Sequence, residues 1–258
     1  MNNYEEFKDS IYKLTRIDLN SYKERQMKRR IESLIRKSGF QSYSEYVEEI
    51  KSNKSLLEEF LGYITINVSE FYRNPDQWYI LETKVLPELF DKFGNNLKIW
   101  SAACSTGDEP YSLVMLLDKL LPNNRIRILA TDIDQSALDK AKLGLYNIKS
   151  LKSLPDEFKE KYFEKVSDKT YRISDKVKNR VEFRRHDLLE DPYPRDMELI
   201  VCRNVLIYFT DDAKMKIYNK FHESLKRDGV LFIGSTEQII KYQEIGFQNF
   251  NSFFYRNL

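Results

Sequence analysis

Four apolar runs in this chain each lead into residues suited to holding a polar ligand. The small-residue loop Ala103 to Gly107 lies beyond Leu97, Ile99 and Trp100, and Asp132 beyond Ile126, Ile128 and Leu129. Asp187 and Leu188 come after Val181 and Phe183, and Arg203-Asn204-Val205-Leu206-Ile207-Tyr208-Phe209 follows Leu199-Ile200-Val201-Cys202. An acidic residue about two dozen positions after a strand–loop–helix junction can accept hydrogen bonds from ribose hydroxyls. Asp132 stands in that relation to the small-residue loop Ala102-Ala103-Cys104-Ser105-Thr106-Gly107. The loop holds one glycine, so it lacks G-x-G-x-x-G and with it the close backbone approach that a pyrophosphate needs. The chain also has no P-loop lysine pattern. The nucleoside ligand left by these exclusions is one without phosphates, S-adenosylmethionine.

Each of these residues also has a plainer reading. Asp132 fits a cap on the helix that follows it. Asp187 fits a turn residue, Tyr208 a half-buried aromatic, and Arg73 a surface charge.

The elements that must position these groups come in two blocks. Residues 4–64 read as helices only. Tyr4, Phe7, Ile11 and Leu14 form one stripe. A helix over about 22–38, with Ser21 as its cap and Gly39 as its stop, buries Met27, Ile31, Leu34 and Ile35. At roughly 100° per residue, Arg25, Arg29 and Arg36 share the opposite face. That face fits either a solvated surface or a docking surface for an acidic partner. Two more helices follow, near 42–51 and 55–65. After a polar and aromatic linker, 65–75, a helix over 76–93 should kink or split at Pro87.

From residue 97 strands and helices alternate. Strands are expected at 97–101, 126–131, 171–173, 181–183, 199–202 and 230–233, with a last one at 253–255. Helices are expected at 109–121, from Ser136, from Pro155 and at 211–227. This alternation implies a parallel sheet wrapped by helices, which binds ligands beyond the carboxyl ends of its strands.

Composition narrows the function classes. With 258 residues, 41% hydrophobic, the chain can bury one large or two modest cores. A net charge of +2 against 32% charged residues argues against general coating of nucleic acid. Cys104 and Cys202 have no paired spacing and fit a reducing cytosol. Two histidines are too few for a His-built metal site, so no metal is expected. The polar, acidic start, Met1-Asn2-Asn3-Tyr4-Glu5-Glu6, is unlike a signal peptide. No apolar run approaches the length of a membrane span, so no membrane insertion is expected.

Four stretches together resemble the CheR family, the chemotaxis receptor glutamate methyltransferases. They are Asn67-Val68-Ser69-Glu70-Phe71-Tyr72-Arg73, the run from Trp100 to Ser112, Ala130-Thr131-Asp132-Ile133-Asp134, and Cys202 to Phe209. Their order and spacing match over nearly the whole chain, including residues 22–30 of the basic helix. The departures are mild: Ser69 where threonine is common, Tyr72 where Phe is common, Asp108 where Glu is common. The resemblance implies an α/β fold, a Rossmann-like class I methyltransferase sheet with a small all-helical N-terminal domain and a small β-subdomain insertion. The domains would be 1–75, for receptor docking, and 76–258, with the β-subdomain at about 160–185.

The resemblance also implies a site. Asn67, Ser69, Arg73, Glu109, Asp132, Asp187, Leu188, Arg203, Asn204 and Val205 would line the S-adenosylmethionine site. Glu109 would meet the methionyl ammonium and Asp132 the ribose. Arg73 and Tyr208 would face the transferring methyl as the catalytic pair. The implied acceptors are glutamates on the helical bundle of methyl-accepting chemotaxis receptors, which makes Arg25, Arg29 and Arg36 candidate receptor contacts. The expected protein is a cytoplasmic monomer that uses no nucleic acid. It lacks an Asn/Asp-Pro-Pro-Tyr run and a Pro-Cys nucleophile, against a nucleic-acid methyltransferase. A module that only senses the cofactor is the other alternative, and the joint presence of Arg73 and Tyr208 speaks against it. The turn Ser174-Asp175-Lys176 lacks the glycine-rich loop that goes with gripping a receptor tail peptide, so tail-independent action is expected.

Overall fold

The computed structural model describes residues 3–121 and 126–258. Met1 and Asn2 of the polar start, and the connection 122–125, therefore lie outside the described residues. The chain forms two compact units. One takes the residues up to Asn67 together with Ile207–Lys216, the other Val68–Leu206 with Ile217–Leu258.

The first unit is helical, with α1 (Tyr4–Thr15), α2 (Glu24–Lys37), α3 (Tyr43–Ser52) and α4 (Lys54–Ile64). Their stripes meet as the periodicity requires. Phe7 packs on Tyr43 with ring centroids 4.8 Å apart and meets Phe60 edge-on, and Met27, Ile31, Leu34 and Ile35 are buried. Gly39 does stop α2. At φ +89° it lets its own N–H reach Arg36 O and that of Phe40 reach Ile35 O, which satisfies the last carbonyls. The start of α2 differs from expectation. Ser21 lies in a separate 3₁₀ turn, Leu19–Ser21, where its hydroxyl is bonded to Asp18, and Lys23 holds the N-cap position with no side-chain cap. Asp18 is two residues before Asn20 and takes the local N–H first.

The second unit opens with α5 (Pro75–Ile80), a π turn (Leu81–Val85) and α6 (Leu86–Phe93). The split falls where Pro87 removes a backbone donor, and Leu86 N–H reaches back five residues to Leu81 O. Then follow β1 (Ile99–Ala102), α7 (Asp108–Leu120), β2 (Ile128–Asp132), α8 (Gln135–Leu143), β3 (Leu145–Asn147), α9 (Asp156–Tyr162), β4 (Phe163–Lys165), β5 (Thr170–Ile173), α10 (Asp175–Lys178), β6 (Val181–Arg185), β7 (Met197–Cys202), α11 (Asp211–Ser224), β8 (Leu225–Ile233), α12 (Tyr242–Ile245), β9 (Phe247–Asn251) and β10 (Phe254–Asn257). The main sheet runs β6-β2-β1-β7-β8-β10-β9. Its first five strands are parallel, and β10 and β9 add an antiparallel end.

Every residue of β1 is buried, as is every residue of β7 beside it. Runs covered on both faces are what a central parallel strand requires. Trp100 fills one face of the sheet, meeting His186, Tyr193 and Phe221 edge-on, and its indole N–H reaches Thr131 Oγ1 at 2.9 Å. A second sheet, β3-β5-β4, is small and antiparallel. In the segment 160–185, residues 163–173 belong to this small sheet and β6 pairs with β2 in the main one. The turn expected at 174–176 opens α10, and Lys161, Lys176 and the Tyr162 hydroxyl converge on the buried carboxylate of Asp118 in α7.

Candidate functional site

The carboxyl ends of β1, β2, β6 and β7 lie along one edge of the main sheet, and each carries one of the expected groups. After β1 the chain turns through residues 103–107, where Ala103 and Ser105 adopt φ +61° and +49°. Left-handed backbone at non-glycine residues persists only where the surroundings hold it. Here Cys104 N–H bonds Thr131 O, and Ser105 N–H bonds Asp132 Oδ2 at 2.7 Å. Gly107, at φ +87°, leaves no space for a side chain, because an added Cβ would stand 2.8 Å from Ala141 Cβ. Tyr146 of β3 donates its hydroxyl to Thr106 O, so the small sheet props the loop.

Asp132 is buried and does not cap α8. That role falls to Asp134, whose Oδ1 accepts from Ser136 and Ala137 N–H. The Asp132 carboxylate instead collects N–H groups from Ser105 and Asp134, and burial raises its pKa to about 6. Those bonds fix its orientation and leave carboxylate lone pairs for further donors.

Glu109 sits in the first turn of α7. Its Oε1 accepts from Ser101 Oγ at 2.8 Å and its Oε2 lies 3.8 Å from Arg203. Burial pushes its pKa to about 7, although Arg203 and Ser101 pull it down. Beside it, Asp108 accepts from Thr106 Oγ1 at 2.6 Å and from the Ser69 hydroxyl, and burial raises it to about 6.

Arg203, at the end of β7, has a side chain only 2% exposed. Its Nη2 donates to Arg73 O at 2.7 Å and Gln77 Oε1 at 2.6 Å, with Asn74 Oδ1 at 3.3 Å. The guanidinium also lies 4.7 Å from the centre of the Phe232 ring. Arg203 therefore ties the segment before α5 to the sheet. That segment is held from below as well. Phe71 packs edge-on to Tyr146 and Phe163, Tyr72 stacks on Trp78, and Trp78 donates to Arg73 O. The fixed backbone carries Arg73, half-buried, whose Nη1 reaches Val68 O at 3.2 Å.

Asp187 forms a turn beyond β6. Its Oδ1 accepts from Leu189 N–H at 2.8 Å, and burial raises its pKa. His186 N–H bonds Asp132 O, which joins this turn to the β2 end. Leu188 is buried, and its carbonyl accepts the Tyr193 hydroxyl. Asn204 and Val205 are half-buried in the turn after β7, Asn204 at φ +60°. Ser69, Arg73, Glu109, Asp132, Asp187, Leu188, Arg203, Asn204 and Val205 thus all lie in the sheet unit.

Asn67 and Tyr208 belong to the helical unit. Asn67 Nδ2 bonds Thr65 Oγ1. Tyr208 ends a 3₁₀ turn, Leu206–Tyr208, and its carbonyl accepts Lys23 N–H. Phe209 stacks on Tyr22, with ring centroids 4.6 Å apart, and the two residues form a β-bridge. Arg25, Arg29 and Arg36 of α2 are exposed, and Arg36 lies 3.7 Å from Glu32. By contrast, Arg30 is taken up by Tyr63, through a bond to its carbonyl and a stack on its ring.

Sequence reasoning did not find Gln77, Asn74 or Tyr146. Each acts on a partner distant in the chain, and none falls in a periodic or motif position.

The donor set fits S-adenosylmethionine. The carboxylates of Glu109, largely covered, and Asp132, buried, suit an ammonium group and ribose hydroxyls. Two buried donors beside them, Arg203 Nε and Gln77 Nε2, have no partner among the described residues, and a polar ligand is one group that could satisfy them. No group of three or more metal-ligating side chains occurs among the described residues, and no described helix is long and apolar enough to cross a membrane.

Comparison with known proteins identifies the family. A family described as "CheR methyltransferase, SAM binding domain" matches residues 67–254, and one described as "CheR methyltransferase, all-alpha domain" matches residues 2–65. A chemotaxis protein methyltransferase of Listeria monocytogenes is 46% identical over 239 residues, 93% of this chain and 91% of that protein. One of Borreliella burgdorferi is 33% identical, over 89% of this chain and 85% of its own. Chemotaxis protein methyltransferase 1 of Pseudomonas aeruginosa is 34% identical, over 92% and 90%. The chain belongs to the CheR methyltransferase family and is an enzyme that takes its methyl group from S-adenosylmethionine.

Proposed function

We propose that this enzyme transfers the methyl group to glutamate side-chain carboxylates of chemotaxis receptors, giving methyl esters. The observation that carries the reading is the wall formed by Arg203, Glu109 and the Arg73 segment. It sets ionisable and hydrogen-bonding groups at the strand ends and commits none of them as a general base.

None is needed. A glutamate side chain has an unperturbed pKa of about 4.3 and is an anion at neutral pH. The bound cofactor supplies a methyl on a positively charged sulfur, an electrophile that needs no further activation. What remains for the protein is alignment and exclusion of water. Glu109 receives the methionyl ammonium and Asp132 the ribose hydroxyls. The Asp187–Leu188 turn borders the adenine, and Asn67, Ser69, Asn204 and Val205 complete the lining. Arg73 offers a fork of N–H donors and Tyr208 a hydroxyl to the incoming carboxylate. They orient it and exchange no proton with it. Arg25, Arg29 and Arg36 of α2 steer the acidic receptor surface. The enzyme acts as a cytoplasmic monomer.

The test is transfer of labelled methyl to a receptor cytoplasmic fragment, followed by base treatment. Label released as methanol is the expected result. Label that resists base, or none transferred by a protein shown to bind the cofactor, refutes the reading. Tyr208→Phe sharpens it: turnover should fall about tenfold with cofactor affinity unchanged, and unchanged turnover removes Tyr208 from the mechanism.

A further inference from the structure

One buried carboxylate of the sheet unit is absent from every motif discussed above. Glu237 lies in the turn after β8, 5% exposed. Its Oε2 accepts N–H of Asn204 at 2.8 Å and of Gly234 at 2.7 Å, and its Oε1 accepts N–H of Leu206 at 2.8 Å. Three backbone donors from two strand ends converge on this one carboxylate. Two of them come from the neighbouring strand end, after β7, and flank Val205. The third is Gly234, the first residue after β8, and Glu237 N–H bonds back to Gly234 O.

The turn being held is one that does not hold itself. Asn204 has φ +60°, a conformation disfavoured for residues with a side chain. Gly234 has been kept bare against it. A Cβ there would stand 2.7 Å from both Asn204 N and Asn204 Nδ2, and 2.8 Å from Glu237 Oε2. The ends of β7 and β8 are thus closed on each other around one carboxylate. Residues 203–205 are the part of the proposed cofactor lining that this closure sets.

We propose that Glu237 is a positioning residue for the cofactor. Its carboxylate fixes the turn after β7 in the left-handed form that presents Asn204 and Val205 to the ligand and keeps Arg203 directed at the Arg73 segment. The proposal rests on the cofactor lining assigned above. It does not depend on which acceptor is methylated.

The substitution to make is Glu237→Gln, equal in size, which puts an N–H group where one acceptor oxygen now meets backbone donors. Glu198→Gln is the control. Glu198 is a carboxylate of the same sheet, 4% exposed, that accepts Lys98 N–H and the Lys226 ammonium at the start of β7, away from the strand ends that carry the site. Titration calorimetry with S-adenosylhomocysteine is expected to show Kd raised at least tenfold by Glu237→Gln and changed less than twofold by Glu198→Gln. KM for S-adenosylmethionine should rise in parallel while KM for the receptor fragment holds. Glu237→Asp keeps the charge but is one methylene too short to reach all three donors. It should fall between, and it carries the test if the glutamine variant does not fold. Affinity within twofold of the parent in either variant, or an equal loss in Glu198→Gln, overturns the proposal. A parent that binds S-adenosylhomocysteine but methylates no receptor would refute the acceptor assignment and leave this one standing.

Discussion

Arg203 and the arginines of α2 carry the same charge and are used in opposite ways. Arg203 is buried, and carbonyl, amide and carboxylate groups hold its guanidinium in one place. Arg25 and Arg29 stand in solvent, and among the described residues no ion pair holds either. A buried charge is bound by whatever surrounds it and serves to position. An exposed charge is screened by salt, keeps its side-chain freedom and serves to attract. Under the function proposed above, the contrast separates the part of the enzyme that would hold a small ligand in register from the part that would find a large one.

The strongest way to break this contrast is Arg203→Ala. It leaves Glu109 and the carbonyl of Arg73 without their buried partner, and such losses cost about 3–5 kcal/mol. Urea unfolding should show that loss, and transfer should be undetectable. A loss under about 1 kcal/mol would mean that the guanidinium is replaceable by water and positions nothing.

Next in size is a pH effect. Burial holds Glu109 neutral up to about 7 in the ligand-free protein. Its folded pKa lies above the ordinary value, so the neutral form's contribution to stability is complete at about pH 4 and is lost as pH rises through 7. A ligand ammonium reverses the preference by favouring the anion. Cofactor affinity should therefore rise about tenfold between pH 5.5 and 7.5, with proton release on binding. In Glu109→Gln the affinity should be weak and nearly flat over that range. A parent profile that is already flat would remove Glu109 from the ammonium site.

Reversing Arg25, Arg29 and Arg36 together to Glu tests the other side of the comparison. KM for the receptor fragment should rise about fivefold at low salt and converge on the parent's at high salt. Stability should change by less than about 0.5 kcal/mol per site. An unchanged KM at low salt returns α2 to a solvated face. The smallest effect is expected for a receptor tail peptide, which should show no measurable binding in calorimetry. Saturable binding would assign the small sheet a receptor-gripping role.

The same contrast marks what could be read from residues alone. The stripes of α1 to α3, the end of α2 at Gly39 and the interruption ahead of Pro87 depend on neighbours within a few residues, and periodicity shows them. The cap at Ser21 failed for an equally local reason, since Asp18 competes for the same backbone. The β9–β10 end of the sheet was half missed, because antiparallel edge strands carry weak and mixed patterns, as Phe247-Gln248-Asn249-Phe250-Asn251 does. In the site, Asp132 and Arg203 were visible as polar residues that end apolar runs, and Glu109 only through the motif it shares with the family. Gly234-Ser235-Thr236-Glu237 ends the run of β8 in the same way, and that signal could have found Glu237.

The sequence by itself determined the chemistry available at each strand end. A parallel sheet collects the ends of its strands on one edge, and the order of the elements already fixes which residues arrive there. It also determined that one helix would carry arginines on the face opposite its core stripe. Only the tertiary structure decided what those groups are free to do. The bond from Arg203 to Arg73 O joins residues 130 apart, and no local period records such a pair. Whether Asp132 or Asp134 caps α8 depended on the Ser105 N–H arriving from another loop. The raised pKa of Glu109 follows from burial, which is a property of everything packed around the carboxylate rather than of the residues beside it in the chain.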